Sequence, residues 1–195
     1  MTMQRPDELF LKRVFDYYFE APLSVWATIT PHLEHRTYKK NEVIKEAGQT
    51  EHNIDIIIKG SIGVFFWTDN HPRCIDLFYE DYFSCDYMSY IEAKPSELFV
   101  QVLETTDVFS ISRTKIQELS EESLMGNKII RAAAQSLFLH KQRQQIEMLT
   151  LTAEERYKKM LKEQPGRIHR TASKHIASYL GITPESLSRI RNKVS

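Results

Sequence analysis

Cysteine is nearly absent: Cys74 and Cys85 are the two in 195 residues. Two cysteines build no disulfide framework, and a pair eleven residues apart cannot supply the four thiolates of an iron–sulfur cluster. Cys85 can be read as a buried free thiol or as a redox group, and burial is the commoner state. Long apolar runs are absent too. No stretch approaches the roughly 18 residues of a membrane span, and residues 1–7 hold no apolar core of the signal-peptide kind. The expected location is the cytoplasm, with no membrane partner. A nucleophile elbow, a P-loop and paired catalytic acids are all missing, so no enzyme is expected. Of the seven histidines, only His32 and His35 are close in sequence, with Glu34 as the sole acidic neighbour at ligand spacing. No metal site is expected from them.

A formal net charge of zero conceals an uneven distribution. Residues 151–195 carry ten Lys/Arg against four Asp/Glu, a balance of +6, and the remainder carries −6. A basic end on an acidic body suits an anionic partner, of which nucleic acid is the commonest.

Residues 9–33 mix aromatic and aliphatic side chains at helical spacing, including Leu9, Val14, Tyr17 and Tyr18. They predict one or two short helices broken near Pro22 and Pro31. From 42 to 112 the texture changes. Apolar and β-branched runs recur at 43–44, 54–58, 62–67, 74–79, 98–103 and 108–111, separated by turn signals at 47–48, 59–60 and 68–70. That pattern predicts an antiparallel sandwich or roll, with Gly48 and Gly60 where the backbone needs positive φ. Tyr79, Tyr82, Phe83, Tyr87 and Tyr90 form an aromatic group that serves either as core or as the wall of an effector pocket. From 121 to 150 an apolar stripe of Ile130, Ala133, Ala134, Leu137, Phe138 and Leu149 predicts one long helix. A stripe of that length packs either on its own domain or on its twin in a dimer, and the dimer is the favoured reading. Thr152-Ala-Glu-Glu155 is a capping box that opens a further short helix, which Pro165-Gly166 ends. The expected organisation is α+β: a sensor domain over 1–120, a dimerisation helix over 121–150 and a DNA-binding domain over 151–195, hinged near Thr150.

The last segment predicts two short helices joined by a tight turn. The first runs from Ser173 to Leu180, with Ile176 and Leu180 on one face and Ala177 small enough for a close crossing. Gly181 leaves the helix in the left-handed conformation, Thr183 caps the next helix and Pro184 takes its first position. At 100° per residue, Leu187, Ile190 and Val194 fall within roughly 60°. Glu185, Arg189 and Asn192 lie opposite, flanked by Ser186 and Lys193 on one edge and by Ser188 on the other. Such a face fits a major groove: Arg bonds guanine O6/N7, Glu accepts from cytosine N4 and Asn pairs with adenine. Thr183 is placed for a phosphate. Arg191 lies nearer the core side. A plain helical hairpin with a solvated face is the competing explanation.

Ile176-Ala-x-x-Leu180-Gly181-Ile-Thr-x-Glu185-Ser-Leu-Ser-Arg189-Ile190 resembles the helix-turn-helix of the Crp/Fnr family of bacterial transcription regulators, most closely the Bacteroidetes-type members. Tyr38-Lys-Lys-Asn-Glu-Val-Ile-Lys-Glu-Ala-Gly48 and Ile57-Ile-Lys-Gly60-Ser-Ile resemble that family's cyclic-nucleotide-binding β-roll, a double-stranded β-helix. The resemblance implies a homodimer on a palindromic double-stranded DNA operator, with Glu185 and Arg189 as principal base readers and RNA polymerase as a candidate partner. It also exposes two departures. Where nucleotide binders carry Gly-Glu and, about ten residues on, Arg-Ser or Arg-Thr, this sequence has Cys85-Asp86 and Ser96-Glu97, and no arginine stands between Arg73 and Arg113. An acid repels the phosphate that an arginine would hold, so cAMP is not expected to bind. The candidate effector pocket is Tyr82, Phe83, Cys85, Asp86, Ser96 and Glu97, with no cofactor and an effector of unknown kind. Second, the sequence stops at Ser195, so the winged-helix-type domain is expected to have a reduced or absent wing. The alternative is a ligand-binding or protein-interaction module whose C-terminal part does not bind DNA.

Overall fold

The computed structural model describes residues 7–68 and 71–194. Two short helices lead, α1 (Glu8–Phe15) and α2 (Leu23–Ile29), followed by a 3-10 turn at Thr30–His32. Asp7 caps α1 by accepting from the Leu9 N–H, and Pro22 precedes α2. The break near Pro22 thus follows the sequence, and Pro31 sits in the 3-10 turn rather than ending the region. Strands β1 (Glu34–Tyr38), β2 (Val43–Lys45), β3 (Asn53–Lys59), β4 (Ile62–Thr68), β5 (His71–Phe78) and β6 (Phe83–Ser84) follow, then helix α3 (Tyr87–Glu92) and strands β7 (Leu98–Val102) and β8 (Thr106–Ser112). The turn expected at 68–70 lies outside the described residues apart from Thr68.

The strands form two antiparallel four-stranded sheets, in the orders β1-β8-β3-β6 and β2-β7-β4-β5. Apart from the β4–β5 hairpin, which stays in one sheet, each connection crosses to the other sheet, which rolls the chain up. Ile57, Ile62, Val64, Val100, Val102 and Val108 fill the space between them. A second core lies outside the first sheet, where Leu11, Val14, Trp26 and Ile129 of the helices cover Ile56, Phe109 and Ile111. Each such fully buried side chain contributes roughly 1.5–3 kcal/mol. Gly48 and Gly60 both have positive φ, as their turns require.

The helical region differs from the single helix expected from 121. It is two helices, α4 (Arg113–Glu122) and α5 (Leu124–Thr150), broken at Ser123. The Ser123 side chain accepts from the Gly126 N–H, so this residue starts a new helix instead of continuing the old one. Gly126 makes the break possible: a Cβ there would lie 2.6 Å from the Leu119 carbonyl oxygen, where α4 crosses. Helix α5 spans 27 residues and keeps only Ile129 fully buried. Among the described residues, no helix is long and apolar enough to cross a membrane.

Four helices complete the chain: α6 (Ala153–Glu163), α7 (Pro165–Arg170), α8 (Ser173–Leu180) and α9 (Pro184–Val194). The Thr152 capping box is present, with Glu155 N–H on the Thr152 hydroxyl at 3.2 Å and Glu155 Oε2 on the Thr152 N–H at 2.8 Å. Pro165 does not merely end α6; it starts α7 from the N-terminal position proline favours. Tyr157, Ile168, Ile176, Ala177, Leu180 and Leu187 form a separate small core here.

Candidate nucleic-acid interface and effector site

The tight turn between α8 and α9 follows from three residues. Gly181 takes φ +71°, and its N–H bonds the Ser178 carbonyl at 3.0 Å. Ile182 packs on the small core, and its N–H bonds the Ala177 carbonyl. The Thr183 hydroxyl accepts from the Ser186 N–H at 3.2 Å and so caps α9. Leu187 is fully buried beneath, with Ile190 packed beside it. The opposite face is turned to solvent: Glu185, Ser188, Arg189, Asn192 and Lys193 are exposed, and Ser186 is half-buried. The Thr183 hydroxyl holds the Glu185 carboxyl below its ordinary pKa. Lys193 reaches back to Glu154 at 3.7 Å. Arg191 turns inward, with its Nη1 on the Ser173 hydroxyl at 2.8 Å and its guanidinium over the Tyr157 ring.

The C-terminal unit is docked on the sheets. Helix α8 lies along β5, where the Cys74 N–H bonds the Ser178 hydroxyl at 2.8 Å, and the Tyr79 and Thr171 hydroxyls share a bond of 2.7 Å. Glu80 accepts from the Gly60 N–H at 2.9 Å and from Arg170 with both oxygens at 2.8 Å, while Arg167 donates to the Glu80 carbonyl. Burial opposes ionisation of Glu80, but the Arg170 bonds prevail and lower its pKa. His175, edge-on to Phe65, is pushed down to about 4 by burial and by Lys174 and Lys40.

The six candidate effector residues do not line one cavity. Tyr82 and Phe83 face a cleft shared with α5, α6 and α8. Cys85 is buried beside a small polar cavity inside the roll, together with Asp55 and Ser84. Burial raises both cysteine thiols, Cys85 well above its usual range, so neither is a thiolate at neutral pH. Glu97 is exposed at the surface near Lys94. Asp86 and Ser96 do meet, and they meet a residue that sequence reasoning missed. Lys45, 4% exposed, donates to Asp86 Oδ2 at 2.8 Å, to Ser96 Oγ at 2.8 Å and to the Leu98 carbonyl at 2.7 Å. Ser96 also donates to Asp86, and Asp86 accepts from the Ser89 N–H to cap α3. Burial pushes the Asp86 carboxyl up; the bonds from Lys45, Ser96 and Ser89 outweigh that and leave it lowered. All three ammonium protons of Lys45 are therefore engaged inside the protein. Of the aromatic group, Tyr87 and Tyr90 line an apolar pocket under α5, whereas Tyr79 is buried against Thr171.

No family model matches the chain, and no curated protein matches it in sequence. Solved structures do match. FixK2 from Bradyrhizobium japonicum aligns with a TM-score of 0.71 at 17% identity, covering 83% of this chain and 84% of its own. The c-di-GMP responsive global regulator CLP of Xanthomonas campestris aligns at 0.67 and 17% identity, over 89% of this chain and 91% of its own. The catabolite activator protein of Thermus thermophilus gives 0.58 and 15% identity over 91% and 85%. The chain has the Crp/Fnr-type fold. This agrees with the α+β roll and terminal helix-turn-helix that the sequence resemblance implied, and the alignments run through both the roll and the C-terminal unit.

Proposed function

We propose that the protein is a sequence-specific DNA-binding regulator that acts as a homodimer, with α9 as the reading helix. The carrying observation is the α8–Gly181–α9 unit, whose polar face of Glu185, Arg189 and Asn192 stands exposed over a rigid apolar core. An arginine and an ionised carboxylate one helical turn apart on a solvent-facing helix suit guanine and cytosine edges, and the +6 balance of residues 151–195 suits the phosphates around them. The described part of that segment consists of helices joined by short turns, with no strand, so the reading rests on α8 and α9 and not on a wing. Helix α5 supplies the dimer surface: Phe138 is 65% exposed and Leu149 80% exposed, on a helix about 40 Å long by its rise per residue. A second copy of α5 covers such a stripe.

In this reading cAMP is not the effector. The Lys45 ammonium is already bonded to Asp86 and Ser96, so it is not free to hold a cyclic phosphate. Selection of bound sequences from a random DNA library, with and without cAMP, tests both parts. The expected result is one palindrome, unchanged by cAMP and lost in Arg189→Ala. Recovery only with cAMP refutes the closed nucleotide site; no enrichment refutes the regulator.

A further inference from the structure

The cleft between the roll, α5 and the C-terminal unit belongs to neither the reading helix nor the nucleotide position. It has two adjoining lobes, one of ≈ 390 Å³ and one of ≈ 180 Å³, the larger within the range of small-molecule sites. Tyr17, Tyr82, His140, Arg143 and Tyr179 border both lobes. Its charges are unevenly matched. Asp76 pairs with Lys141, and Glu147 and Glu163 both pair with Lys159. Arg143 and His140, among the described residues, make no ion pair or hydrogen bond. Arg156, in the wall of the larger lobe, has a buried Nε without a hydrogen-bond partner. Tyr17 is 81% exposed. Tyr82 carries the Arg167 guanidinium 5.5 Å from its ring centre.

We infer that this cleft binds a small aromatic anion, its ring against Tyr17 and Tyr82 and its acid group on Arg143. Aromatic faces supply the apolar contact, and an unpaired guanidinium at the rim supplies a charge-assisted bond to a carboxylate or phosphate. The ligand would touch the roll through Tyr82, the long helix through Arg143 and the C-terminal unit through Tyr179, so it would favour whichever arrangement of the three holds the cleft open at this width. That consequence for DNA rests on the regulator reading; the binding itself does not.

The test is calorimetric titration of the full chain, without DNA, using 1-naphthoate and indole-3-acetate beside their uncharged amides. At least one acid is expected to saturate at one per chain, with its amide about tenfold weaker or worse. Arg143→Gln is expected to weaken the acid by about tenfold or more at unchanged melting temperature, because Arg143 is exposed and unpaired. Tyr82→Leu weakens acid and amide alike. Failure of both acids to saturate below about 1 mM, equal binding of acid and amide, or wild-type affinity in Arg143→Gln overturns the proposal. Sequence selection on DNA is a separate readout, so the regulator reading survives or falls independently.

Discussion

On α9, the polar side chains Glu185, Arg189 and Asn192 stand in solvent above Leu187. Inside the roll, Lys45 and Asp86 are buried and bond each other and the half-buried Ser96. The first set is held in place by apolar residues beneath it and keeps its hydrogen-bonding capacity for a partner. The second set uses that capacity within the protein, so it supports the fold of α3 and β7. Residue types that suit recognition therefore mean different things in the two regions, and the deciding quantity is whether their donors and acceptors are already matched.

Four substitutions sharpen that contrast, from the largest effect to the smallest. Lys45→Met leaves the Asp86 carboxylate buried without its cation, and chemical denaturation should show a loss of about 3–5 kcal/mol. If the variant were as stable as the parent, the network would be ornamental and the roll open to other ligands. Asp55 provides the opposite case: burial raises its carboxyl to about 6, and its Oδ1 lacks a partner. Its folded pKa lies above the unfolded value, so its contribution is fully present below about pH 4 and is lost as pH rises towards 6. Asp55→Asn should stabilise the protein at pH 7 by about 2–3 kcal/mol and flatten the pH dependence between 4 and 6. Arg189→Ala should cost about 1–3 kcal/mol in binding to the selected operator, read by anisotropy at fixed salt, and leave melting unchanged. A drop in melting would mean that Arg189 serves the fold as Lys45 does. Gly181→Ala places a Cβ at φ +71° in open space, so about 1–2 kcal/mol of backbone strain is the whole expected cost, seen in the melting temperature.

The terminal helix-turn-helix was legible because each step depends on near neighbours: Gly181 for positive φ, Thr183 for the cap, Leu187 and Ile190 for the buried side. Other elements lacked local signals. Strand β1, Glu-His-Arg-Thr-Tyr, has no apolar run, since among the described residues it is an edge strand, paired with β8 on one side. Helix α3 hides in a segment whose cap, Asp86, reads as a ligand residue. Helix α7 was masked by Pro165-Gly166, which reads as a stop and is here a start. The break at Ser123 depends on α4 crossing Gly126, a tertiary contact. Lys45 ends a three-residue strand and reads as a surface cation; its partners lie 41 and 51 residues on. One clue was available. With no arginine between 73 and 113, a buried Asp86 needed a cation from elsewhere in the chain.

The length of α5 has a mechanical consequence. It joins α4 at its start and the C-terminal unit at its end, and its 27 residues make it a rigid lever. Over about 40 Å, a tilt of about 5° at the Ser123 pivot carries the far end by about 3.5 Å, close to the spacing between successive base pairs. If α9 reads DNA as proposed, a tilt of that size, made together with a shift of the α8–β5 contacts, would move it from one rung of the duplex to the next.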